Sequence, residues 1–306
     1  MIVVIIRTIM GLSSSNWVTI WILLEVNTLA ICTLIIKDLK KKRCSTLPVL
    51  NYLIIQALAS ILILLAWVRI RTITNIFINR ILLRKIGVWP FHTWFIEILK
   101  LTDLNTLRAI ILITWQKILP VGLISRLINR KYTIIILVCV SVITIIIPAL
   151  RVRKSAKVKE VLILSSIYNN GWSLLAIMSS IKVFLIFIRV YTPSILIILL
   201  QFDSNESTPK NSNNIYPIIV ARNIGGMPPF SLFWRKIIIL KKIIEQRISL
   251  SLLVIYIIST CLFMYHYFRS TMKEFFTSGK KITYTLRWKE TLIITVTLAS
   301  IRAVSL

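Results

Sequence analysis

Apolar runs about as long as a bilayer is thick recur from one end of the sequence to the other, and they leave few folds open. A helix needs about 20 mostly apolar residues to cross the hydrocarbon layer. Counting on that rule gives about eleven helices, near residues 1–12, 16–36, 48–68, 74–96, 106–126, 132–150, 158–179, 181–201, 215–241, 248–270 and 290–306. The first is short for a span and carries Arg7, so it is tilted or partial. The runs are spread along the chain rather than gathered in one patch. That excludes a soluble enzyme with a single anchor, a disordered tail and a disulfide scaffold. The expected fold is an all-α polytopic membrane protein. Composition agrees: 57% of residues are apolar and 16% charged, where soluble domains average about half and about a quarter.

The charge balance is lopsided: 38 Lys and Arg face 10 Asp and Glu, for a net charge of +28. In a soluble protein this would point to nucleic acid. Here the basic residues form short strings between apolar runs, such as Lys40-Lys41-Lys42-Arg43 and Arg151-Val152-Arg153-Lys154. Such strings are topology signals and contacts for lipid headgroups, so membrane lipids are expected partners and nucleic acid is not. The even-numbered loops carry roughly twice the Lys and Arg of the odd ones, which puts the N-terminus on the positive side. With eleven spans the C-terminus lies opposite. Met1 to Leu12 lacks a basic leader and a small-residue cleavage site, and is expected to be a membrane segment rather than a signal peptide.

Motifs for other chemistries are missing. Cys32, Cys44, Cys139 and Cys261 are scattered and are expected to be free thiols buried as small apolar residues. His92 and His266 lack metal-site spacing. No dinucleotide or phosphate loop and no nucleophile elbow occurs in the sequence, so no cofactor site is expected in this chain.

Two segments depart from plain helices. The fourth contains Gly87 and Pro90; the ninth contains Gly225-Gly226 and Pro228-Pro229. Proline removes a backbone donor and clashes with the preceding turn. Polar groups freed in this way persist at membrane depth only inside protein or beside a wet cavity. The breaks fall five helices apart, and an odd-numbered unit repeated once has inverted topology. This pattern predicts two inverted five-helix repeats with broken fourth helices, residues 1–126 and 127–270, then a surface segment and last helix over 271–306. Two unrelated kinks in a large bundle are the alternative.

Charged side chains sit in or beside these features. Lys85 precedes Pro90, Lys236 follows Pro229, Lys117 lies in the apolar run 110–124, and Glu25 lies near the middle of the second helix. Each charge at the centre of a span costs about 2.5–3.5 kcal/mol. Four together cost on the order of 10 kcal/mol, comparable to a whole domain's stability. A lysine that alternates between a paired and an unpaired state binds and releases a proton. Gln56, Gln116, Ser165, Ser166, Asn169 and Asn170 would hold connecting waters. Against this, Lys236 has Arg235, Lys241 and Lys242 for neighbours, and Lys85 has Arg84, so either is a candidate to snorkel to an interface. His92 is as readily structural as a relay, and Glu97 and Asp103 are expected to face a loop.

At these residues the sequence resembles the chain-2 family of antiporter-like subunits of mitochondrial NADH:ubiquinone oxidoreductase, respiratory complex I. The family's K-x-G-x-x-P-F-H-x-W stands as Lys85 to Trp94, T-W-Q-K-x-x-P as Thr114 to Pro120, G-G-x-P-P-x-S-x-F-x-x-K as Gly225 to Lys236, and W-x-x-x-E-x-N as Trp21 to Asn27. Gln56 to Ser60 and Ser165 to Trp172 add smaller matches, all in family order. The resemblance implies proton-pathway roles: Glu25 and Lys85 as a coupled pair, Lys117 as central relay, Lys236 as terminal lysine. His92, Gln116, Ser165 and Ser166 are candidate relay groups. It also implies an inner mitochondrial membrane, with the N-terminus on the matrix side and the C-terminus on the intermembrane-space side. NADH, FMN, Fe–S clusters and ubiquinone would belong to partner subunits, with neighbouring antiporter-like chains the nearest partners. The chain departs from the family pattern at four places: Trp89 for a usual alanine, Arg235 for a usual proline, Asn169 for a common histidine and Glu160 for a common lysine. Two other functions compete: a subunit of a cation/proton antiporter of the same fold, and a structural subunit whose buried charges only set helix register. A sodium site would want several carboxylates, and the spans offer Glu25.

Overall fold

The computed structural model describes residues 2–42, 47–68, 74–101, 114–128, 131–154, 158–207, 225–226, 231–246 and 250–277. Cys44, Asp103, Pro228, Pro229 and the predicted last helix over 290–306 lie outside them. Eleven α-helices run through the described residues: α1 Ile2–Ser13, α2 Trp17–Lys42, α3 Leu47–Val68, α4 Thr74–Ile86, α5 Thr93–Leu101, α6 Gln116–Leu127, α7 Lys131–Arg151, α8 Val158–Ser179, α9 Ile181–Ser207, α10 Ser231–Glu245 and α11 Leu250–Thr277. Among the described residues, five stretches are long and apolar enough to cross a membrane: Trp17–Ile36, Leu47–Ala66, Tyr132–Arg151, Lys159–Ser179 and Ser251–Arg269.

Several boundaries differ from the sequence expectation, each for a physical reason. The expected fourth helix over 74–96 is two helices, α4 and α5, separated by a turn over residues 87–92. Helix α2 continues past the apolar run through Lys40, Lys41 and Lys42. Lysine is a good helix former, and cations are favoured where the helix carbonyls end. The second basic string leaves α7 as a short 3₁₀ turn, Val152–Lys154. Helices α9 and α11 likewise extend into polar sequence, to Ser207 and Thr277. Of the cysteines, Cys32 is buried as expected, but Cys139 and Cys261 sit on outward faces of their helices. A thiol is apolar enough for a face turned to lipid.

The chain divides into two compact units, Met1–Ser141 and Val142–Leu306. In the first, α2 packs on α1 and α3, and α4 packs on α3 and α6. In the second, α8 packs on α9, α10 and α11. Both units are stitched by the same device. Helix ends leave carbonyls without intrahelical donors, and lipid offers none. In the first unit Arg126, near the end of α6, donates to the carbonyls of Ser14 (2.6 Å) and Leu12 where α1 ends. Gly11 seats Leu119 and Gly122 seats Leu12, so α1 and α6 approach closely. This tie anchors the short first helix. In the second unit Gln246 donates to the carbonyl of Ser179 (3.2 Å) at the end of α8, and the Ser180 hydroxyl accepts from Val183 N–H (3.2 Å) as the cap of α9.

Buried hydroxyls follow the same rule. Those of Thr8, Ser60, Ser141, Ser173 and Ser259 each donate three residues back to a backbone carbonyl of their own helix. Arg126→Met is expected to free the Leu12 and Ser14 carbonyls and cost about 1–3 kcal/mol. Lower thermal stability of the detergent-solubilised protein, with α1 more open to proteolysis, is the result to look for.

Candidate functional site

The first unit's charged site is built around the end of α4. Gly87 has a φ of 74°, which ends the helix as glycine does at no steric cost. Its N–H donates to Arg84 (3.2 Å) and the N–H of Val88 to Leu83 (3.4 Å), the paired bonds of a Schellman cap. Two side chains complete the termination. The Trp94 indole donates to the Arg84 carbonyl at 3.2 Å and Gln56 to the Lys85 carbonyl at 3.4 Å. A cation is favoured at such an end because the helix dipole is negative there, and Lys85 occupies the last turn.

Lys85 is 2% exposed. Its Nζ has no hydrogen-bond partner among the described residues, nor have Asn27 Oδ1 and Gln116 Oε1. These three side chains line one small cavity with Gln56, Leu24, Thr28 and Pro120. It has the size of about one water molecule, and a water so placed would have polar neighbours to bond. Glu25, half-buried on α2, acts electrostatically on Lys85. The structure thus brings Glu25, Lys85 and Gln116 to one region. Gln116 donates to the Tyr52 hydroxyl at 2.6 Å.

Lys117 follows on α6, behind a π-type turn at Thr114 and Trp115. It is buried, with Nζ 3.6 Å from the centre of the Phe95 ring. A desolvated contact of this kind is worth about 2 kcal/mol or more. Phe95 is fixed edge-on to Trp94, with ring centres 5.7 Å apart. His92 is buried in the turn before α5, and its carbonyl accepts from Ile96 N–H (3.2 Å). Pro90 is joined to Trp89 by a cis peptide bond. Glu97 is exposed on α5 rather than in a loop.

In the second unit Lys236 turns inward. It is 4% exposed and donates to the Gly225 carbonyl at 3.4 Å. Its Nζ lies 4.7 Å from the Tyr168 ring centre and 5.6 Å from that of Trp172. Gly226, with φ 78°, leaves room for it: a Cβ there would lie 2.6 Å from Nζ. Arg235 is also buried and donates to the Phe187 carbonyl at 3.3 Å. Ser165 and Ser166 are buried, and their hydroxyls donate to the carbonyls of Leu162 and Ile163 (both 2.7 Å). Glu160 stands in the first turn of α8, where the helix dipole favours an acid. No group of metal-ligating side chains occurs among the described residues.

Sequence reasoning named the lysines and missed what surrounds them. Trp94 was visible as a motif letter, and its role as a carbonyl cap was not. Phe95, Tyr52 and Tyr168 gave no signal beyond aromatic identity, since only tertiary packing sets a ring beside an ammonium. Gly87→Ala is expected to cost about 1–2 kcal/mol in backbone strain, with more from a Cβ 2.9 Å from Trp94. The check is impaired assembly, relieved in part by the double variant Gly87→Ala/Trp94→Phe.

The sequence matches the family described as NADH:quinone oxidoreductase/Mrp antiporter, transmembrane, over residues 70–263. It is 28% identical to a protein of Anopheles gambiae called NADH-ubiquinone oxidoreductase chain 2, covering 94% of this chain and 88% of the relative. The fold is similar to a chain of respiratory complex I from Thermus thermophilus, with a TM-score of 0.75 at 14% identity over 99% of this chain and 76% of the other. It is also similar to a chain of the Mrp complex from a Dietzia species, with a TM-score of 0.71 at 14% identity over 92% of this chain and 61% of the other.

Proposed function

This chain belongs to the NADH:quinone oxidoreductase/Mrp antiporter transmembrane family, and from that premise we propose that it is a proton-translocating membrane-arm subunit of respiratory complex I. The observation that carries the reading is the burial of Lys85, Lys117 and Lys236 among apolar helices. A fold needing only stability does better with apolar side chains at such positions. The name and near-full coverage of the insect relative point to complex I rather than to a free antiporter.

In the first unit, Glu25 and Lys85 form a coupled pair. Movement of Glu25 towards or away from Lys85 changes how firmly the lysine holds its proton. Asn27, Gln56 and Gln116 hold a water beside Lys85 through which the proton moves towards Lys117, and His92 serves beside them. In the second unit Lys236 is the terminal lysine, with Ser165 and Ser166 as relay groups. Their hydroxyl oxygens keep acceptor capacity while their protons bond their own helix. The two five-helix repeats, 1–126 and 127–270, bear broken fourth helices at Pro90 and at Gly225, Gly226, Pro228 and Pro229.

This chain carries no redox cofactor. NADH, FMN, Fe–S clusters and ubiquinone work in partner subunits, and the energy arrives from neighbouring antiporter-like chains. The site is the inner mitochondrial membrane, with the N-terminus in the matrix and the C-terminus in the intermembrane space. The second reading, a cation/proton antiporter, draws on the likeness to the Mrp chain.

Two measurements test this. On a native gel of gently solubilised membranes, this chain is expected in a large band active with NADH. Migration only in a smaller inactive assembly would favour the antiporter. In membrane vesicles, Lys117→Met is expected to leave the complex assembled and NADH oxidised while fewer protons move per electron. An unchanged ratio would remove Lys117 from the pathway.

A further inference from the structure

Lys117 and Lys236 lie in different units, yet each ammonium rests on the face of a buried ring. Lys117 Nζ is 3.6 Å from the Phe95 ring centre, and Lys236 Nζ is 4.7 Å from that of Tyr168 with Trp172 at 5.6 Å. We infer that these rings are the positioning residues of proton transfer: Phe95 seats the ammonium of Lys117, and Tyr168 with Trp172 seats that of Lys236. The inference rests on the proton-translocating reading.

The physical argument concerns what a ring face offers and withholds. Its quadrupole attracts a cation, so a protonated lysine is held at a defined point inside an apolar bundle. A ring face has no lone pair basic enough to take the proton. A carboxylate there would attract the ammonium more strongly and would also compete for the proton. The face places the ammonium without itself offering a competing base.

Both seats are themselves held. Phe95 is fully buried and edge-on to Trp94, at an interplanar angle of 79°. The Trp94 indole bonds the Arg84 carbonyl beside Lys85, so the seat of Lys117 is braced against the helix end that carries Lys85. Tyr168 is stacked on Phe263 at 3.9 Å, with rings 1° from parallel, and meets Trp172 edge-on at 6.5 Å.

The test uses the assembled complex in membrane vesicles, reading NADH oxidation and protons moved per electron. Lys117→Met supplies the value for a lost relay. Phe95→Leu removes the face, and Phe95→Trp enlarges it. Proton transfer through the site is expected to slow on the order of tenfold or more in Phe95→Leu. Its ratio should fall towards that of Lys117→Met, while Phe95→Trp stays near wild type. Simple packing predicts the reverse order, because Trp overfills the space more than Leu empties it. A wild-type ratio in Phe95→Leu with a lowered one in Lys117→Met would overturn the seat and leave the reading standing. Equal losses in Phe95→Leu and Phe95→Trp would also overturn it, as packing. A wild-type ratio in Lys117→Met would take down the reading first. Should Phe95→Leu fail to assemble, Phe95→Met replaces it. Independently, Tyr168→Phe should keep pumping and Tyr168→Met should lose it, with Lys236→Met as the reference; equal pumping in those two tyrosine variants overturns the second seat.

Discussion

An ammonium buried in an apolar bundle must find its compensating field among the groups folding puts beside it. Much of this structure follows from how three such groups are answered. Lys85 has the negative end of α4 and the charge of Glu25. Lys117 has the face of Phe95. Lys236 has the Gly225 carbonyl and two rings. Backbone dipoles and ring faces stand beside these ammoniums, with Glu25 acting on Lys85. With 10 acids to 38 bases, the sequence has little else to offer.

The backbone obeys the matching constraint. Every helix that stops short inside the bundle leaves carbonyls that lipid will not bond. The end of α4 meets this with a Schellman cap, an indole and an amide. At the exposed ends of α1 and α8, a guanidinium from α6 and the amide of Gln246 bond the terminal carbonyls. These caps let the chain interrupt a helix beside Lys85 with the carbonyls of Arg84 and Lys85 bonded, while the Lys85 ammonium itself faces a small polar pocket.

Much of this was legible beforehand because it rests on local properties. Apolar run length anticipated the long apolar stretches of α2, α3, α7, α8 and α11, and Gly87 with Pro90 marked where the fourth run stops being one helix. The buried lysines stood out because nothing apolar explains them. Helix ends were less legible. The run over 16–36 says where lipid ends, and α2 continues to Lys42 because helix propensity carries on beyond it. Glu25 beside Lys85 was anticipated from the resemblance, but the rings beside Lys117 and Lys236 were not legible. Phe95 belongs to α5 and Lys117 to α6, and no periodicity relates them; only packing across the unit does. The same holds for Arg126, whose part in holding α1 depends on a contact more than a hundred residues back along the chain.

The close fit of Lys236 against Gly226 also bears on how this sequence is able to drift. The ammonium occupies the volume that any side chain at 226 would claim. The φ of 78° independently disfavours anything but glycine there. A bulkier cation at 236 has no room to grow towards the backbone, and a side chain at 226 has no room to appear. Neither position can change first without meeting the other, so the two behave as one inherited unit.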